Sequence, residues 1–85
     1  SKIKGEIIMF NKEKTIIKIE GMKCQHCASK VLNALENIEG VKKVKIDLDK
    51  KEAIIKSKEK LDTTKLKKAI TDLDYEVISI ETNHE

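Results

Sequence analysis

The apolar residues of this chain recur at every second position, then at every third or fourth, then at every second again, and that succession restricts the fold more than any single residue does. In Thr15-Ile16-Ile17-Lys18-Ile19-Glu20, Ile17 and Ile19 share one face while Lys18 and Glu20 share the other, which predicts a half-buried strand ended by Gly21. From Cys27 onward, Ala28, Val31, Leu32, Leu35 and Ile38 follow at helical spacing. They predict a helix running to about Asn37 or Ile38, with Gly40 as its C-terminal cap. Val44-Lys45-Ile46-Asp47-Leu48 alternates again, Asp49–Glu52 is a polar turn, and Ala53–Ser57 returns as the second arm of a hairpin. Asp62 or Thr63 can cap a second helix that carries Leu66, Ala69, Ile70 and Leu73 on one face, and Tyr75–Ile80 reads as a last strand.

The order strand, helix, strand, strand, helix, strand suits an α+β, ferredoxin-like βαββαβ sandwich, a four-stranded antiparallel sheet with two helices on one face. The 85 residues make one small domain, expected over residues 14 to 81. Residues 1–13 are expected to be a leader, disordered or an expression remnant, with Met9 as a candidate native start, and residues 82–85 a polar tail in which His84 frays. With Phe10 and Tyr75 as the only aromatic residues, the core must come from Ile, Leu, Val and Ala. The net charge of +3, with lysines interleaved among acids, reads as a solvated surface with room for some docking role. No run approaches the roughly 18 apolar residues of a membrane span, and Ile7-Ile8-Met9-Phe10 is shorter than a signal-peptide core of about 7 residues. Direct membrane insertion is therefore not expected, and a cytoplasmic location is.

Both cysteines of the chain fall in Gly21-Met22-Lys23-Cys24-Gln25-His26-Cys27, at the strand-to-helix turn. A pair at this spacing can bind a soft metal ion, exchange a disulfide or supply half of a larger metal site. If the helix starts near Cys27, its unpaired N–H groups and positive dipole end favour the thiolate there. Cu(I), soft and monovalent, is satisfied by two sulfur ligands, whereas Zn(II) wants four. The only histidines are His26, between the two cysteines, and His84, near the far end, so a closed zinc site within one chain is poorly supported. Two-coordination also permits transfer. An incoming thiolate adds, one of the original pair leaves, and the ion is never free. Met22 is expected to pack beneath the loop rather than to ligate, and His26 to be an exposed residue or a second-shell contributor.

Two other classes compete. A thiol-disulfide oxidoreductase also places Cys-x-x-Cys at a helix start, but this chain has no proline to oppose a disulfide and no tryptophan before the cysteines. RNA-recognition domains share the element order but stack bases on aromatic residues of the central strands, and Lys14–Glu20 and Val44–Leu48 contain none. Neither an enzyme nor a nucleic-acid partner is expected.

The stretch Gly21–Cys27, followed by Val31, Leu35, Gly40-Val41, Val44, Ile46 and Leu48, resembles the heavy-metal-associated domain over about residues 14 to 81. Within that family the Cys-Gln-His-Cys core looks most like the small bacterial copper chaperones. The resemblance implies Cys24 and Cys27 as metal ligands and Cu(I) as cargo, with Zn, Cd or Hg as ions of related domains. It also implies a copper-transporting P-type ATPase or its metal-binding domain as partner, a copper-responsive regulator as another, and a Cu-bridged homodimer at excess metal. The N-terminal metal-binding domain of a heavy-metal P-type ATPase is the nearest alternative identity. Tyr75 matches the position from which an aromatic residue approaches the metal loop. Asp74 departs from the glycine usual before it, and aspartate tolerates the left-handed backbone such a turn needs.

Overall fold

The computed structural model describes residues 13–84. Strand β1 (Glu13–Glu20) buries Thr15, Ile17 and Ile19 and leaves Lys18 and Glu20 exposed, as its alternation predicts. Helix α1 (Gln25–Glu36) buries Ala28, Val31 and Leu35. Strands β2 (Val41–Asp47) and β3 (Glu52–Ser57) form the hairpin, α2 (Thr63–Thr71) buries Leu66 and Ile70, and β4 (Glu76–His84) closes the chain. The sheet order is β2-β3-β1-β4 with every neighbouring pair antiparallel, and this is the ferredoxin-like βαββαβ arrangement. The core is aliphatic: Ile17, Ile19, Val31, Leu35, Ile55, Leu66 and Ile70 are fully buried, joined by Met22.

Several element ends differ from the periodicity. Helix α1 starts at Gln25, two residues before Cys27, because Cys24 adopts the extended backbone of an N-cap and its carbonyl accepts from Ala28. The helix stops at Glu36, where the Asn37 backbone N–H and side-chain Nδ2 both donate to the Asn33 carbonyl. Gly40 is therefore no helix cap. At φ +94° it turns the chain into β2, with Leu61 Cδ2 3.2 Å from where a Cβ would stand.

Strands β1 and β4 are both longer than the apolar alternation shows. β1 begins at Glu13, paired with Ser57 on one side and with His84 on the other, so β4 runs on through Thr82–His84, within the segment expected to be a polar tail. Backbone pairing, not apolar patterning, extends these strands. A register shift between Lys18 and Ile19 leaves Ile78 of β4 out of the ladder, and among the described residues it is the exposed large hydrophobic side chain, at 53%. Of the leader expected over residues 1–13, residues 1–12 lie outside the described residues, and Glu13 belongs to β1.

Candidate metal centre

The loop between β1 and α1 is positioned from both ends. Gly21 takes φ +100°, a backbone only glycine adopts without strain, and turns the chain off the strand. Met22 then plunges into the core at 1% exposure, so the loop is tethered immediately before its reactive residues. Cys24 follows on the surface. As N-cap it occupies a place where Ser, Thr, Asp or Asn usually caps the helix, yet its side chain makes no cap bond, which leaves the thiol available. Cys27, half-buried, sits in the first turn of α1, where backbone N–H groups lack helical partners.

The two thiols are free and their sulfurs lie 3.6 Å apart, with Cys24 Sγ donating to Cys27 Sγ. Cys27 is held down at about 7 from an ordinary 9.0, chiefly by a hydrogen bond from the Tyr75 hydroxyl, then by the Lys23 backbone and the Cys24 thiol, with burial opposing. The Tyr75 hydroxyl is correspondingly raised, because losing its proton would remove that bond and place a second negative charge beside the sulfur. The helix start favours a thiolate at Cys27, but the largest cause of its lowered value is a side chain nearly fifty residues away in the chain.

Tyr75 reaches the loop because Asp74 adopts φ +68°, the left-handed turn expected of it, and because Gly21 has no side chain. The tyrosine Cδ1 lies 3.2 Å from where a Gly21 Cβ would stand. Sequence reading treated Gly21 only as a strand terminator, and its role as the seat of the Tyr75 ring had no sequence signal beyond the residue type. His26 is exposed on the first turn of α1. Among the described residues, no third histidine, cysteine or carboxylate joins the thiols in a group able to hold a metal ion.

With metal–sulfur bonds of about 2.3 Å, sulfurs at the present separation subtend an angle of roughly 100° at an ion. A near-linear two-sulfur arrangement needs them to part to about 4.5 Å at the same bond length. Cys24, exposed and without a cap bond, is the residue that can move.

The model of the heavy-metal-associated domain family matches residues 16–76, most of the chain and the whole of the loop. The chain is a heavy-metal-associated domain. This domain is 39% identical over 59 residues to the copper chaperone CopZ of Enterococcus hirae, covering 68% of this chain and 86% of that protein. Among solved structures it resembles a CopZ metallochaperone at TM-score 0.71 and 35% identity, covering 76% of this chain and 98% of the other. It also resembles oxidized MerP from Ralstonia metallidurans CH34 at TM-score 0.72 and 28% identity, covering 82% and 97%. The matched span of the heavy-metal-associated domain includes Gly21, Met22, both cysteines, His26 and Tyr75, so every residue of the loop and its tyrosine falls within the shared region.

Proposed function

We propose that this protein is a Cu(I) metallochaperone in which Cys24 and Cys27 are the metal ligands and Met22, His26 and Tyr75 form their surroundings. The observation that carries this reading is the pair of free sulfurs 3.6 Å apart on an exposed loop, one of them held near pH 7 by Tyr75. The lowered Cys27 thiol gives up its proton readily near neutral pH, which favours uptake of a soft ion. The likeness to proteins named copper chaperone supports copper over other soft ions.

Transfer proceeds by ligand exchange. A thiolate of the partner adds to the bound ion, giving a three-sulfur bridge, and the Cys24–metal bond then breaks, leaving the ion shared with Cys27 until the partner's second thiolate displaces it. Cys24 leaves first because it is the looser and more exposed ligand. The partner in this reading is a copper-transporting P-type ATPase or its metal-binding domain, and the setting is the cytoplasm. None of the described helices is long and apolar enough to cross a membrane.

An anaerobic competition titration against a Cu(I) chelator tests the site. The wild-type chain should take up one ion per monomer, and Cys24→Ser or Cys27→Ser should each lower the affinity by several orders of magnitude. Unchanged binding in either variant would remove the two-thiolate site.

A further inference from the structure

The sheet face turned away from the helices carries an arrangement that the metal site does not use. Cross-strand register places Lys43 of β2, Lys56 of β3 and Lys14 of β1 directly opposite one another in three adjacent strands. Opposed Cβ atoms in such a ladder stand about 5 Å apart, and like charges so placed destabilise a sheet. Lys45 adds a fourth ammonium on the next outward position of β2, across from Ile54. Lys43, Lys45 and Lys56 are exposed, and the loop that follows β3 contributes exposed Lys58 and Lys60 at the same end.

The rows of this face differ in charge along the strands. Toward the metal loop, Asp47 and Glu52 are mutually opposed and Lys18 stands across from Glu52, so that row is mixed, whereas the charged residues of the far row are the three lysines, with Ile16, Ile54 and Glu81 of β4 between the two rows. Lys14 stands six residues down β1 from Glu20, about 20 Å at strand rise.

We propose that this lysine ladder is a docking surface for an anionic lipid bilayer, held there by charge with the Cys24–Cys27 loop directed away from the membrane. Charge complementarity carries the choice of partner. All 18 basic residues of the chain are lysines, point charges suited to a diffuse anionic plane rather than the forked guanidinium that recognises a single phosphate or carboxylate. The described strands have no aromatic side chain on which nucleic-acid bases could stack. A bilayer of acidic headgroups relieves the repulsion among the three opposed ammonium groups, and because the ladder lies at the end of the sheet far from Gly21 it leaves the Cys24–Cys27 loop facing the solvent.

The test is co-sedimentation of the full metal-free chain with phosphatidylcholine vesicles and with vesicles containing one-third phosphatidylglycerol. Because no metal is present, its outcome is independent of whether copper is the cargo. Binding is expected only to the anionic vesicles, weakening between 50 and 200 mM salt. Each lysine near such a surface contributes about fivefold in affinity, so Lys14, Lys43 and Lys56 all changed to Gln should lower it about a hundredfold. The charge-matched helix variant with Lys30, Lys67 and Lys68 changed to Gln should bind within about threefold of wild type. Lys56→Glu separates the role from simple structure, because an acid between two lysines should raise the melting temperature while weakening vesicle binding. Equal loss in the ladder and helix variants, equal binding to neutral vesicles, or displacement from the ladder by single-stranded poly-uridylate in preference to lipid would overturn the proposal. Protection of Cys24 from alkylation on vesicles would overturn the orientation and with it the docking surface.

Discussion

Tyr75 lies far from the cysteines in sequence, yet its hydrogen bond is the largest cause of the lowered Cys27 value, about 7 against 9.0. The unfolded thiol keeps its proton up to about 9.0 and the folded one only to about 7, so the unfolded chain binds more protons in that interval. Metal-free stability should therefore rise as pH increases from 7 to 9 and lose this contribution as pH falls through 7. Tyr75→Phe removes the donor. Site-resolved alkylation of Cys27 against pH should show its midpoint moving upward by about half a unit or more, the order of one charge-assisted hydrogen bond, and the pH dependence of stability should flatten. An unmoved midpoint would mean that the Lys23 backbone and the Cys24 thiol hold the value down without Tyr75. Residue types announced part of this: two cysteines at this spacing named the ligand candidates, and a tyrosine after the second helix matched a family position. Its contact with Gly21 could not be read, because nothing local relates residues 21 and 75.

At the scale of elements, the caps show which boundaries follow from local chemistry. Asp62 accepts from the Thr64 N–H at 2.9 Å and starts α2 where a capping residue was expected. Replacing it with Ala should cost about 1 kcal/mol in urea denaturation, the usual value of an N-cap. Helix α1 lacks such a bond because its N-cap is Cys24, whose thiol is left unbonded to the backbone. That explains why its start was misplaced at Cys27: cysteine is no recognised capping signal, and the apolar period begins only at Ala28. Gly40 misled in the opposite direction. A glycine a few residues past a helical pattern reads as its cap, but the Asn37–Asn33 bonds had already ended α1, and the glycine serves the turn into β2.

Across the whole molecule, the loop depends on the core through Met22. Its side chain is as buried as Ile17 and Leu35, although it belongs to neither a strand nor a helix. Met22→Ala should cost about 2–5 kcal/mol, as truncation of a buried methionine does, a large share of the roughly 5–15 kcal/mol that holds a small domain together. Thermal unfolding of the metal-free protein measures it. A loss below about 1 kcal/mol would mean that the loop is not anchored by this residue.

The element order, the aliphatic core face and the identity of the thiols were determined by sequence alone, because periodicity and residue chemistry are local properties. Only the tertiary structure decided which side chain lowers the Cys27 thiol, which glycine seats the tyrosine, and which lysines stand opposed across the sheet. Those depend on register and on contacts between residues distant in the chain. Strand register in particular is set by backbone pairing over β1, β3 and β2 together, and no spacing within one strand contains it.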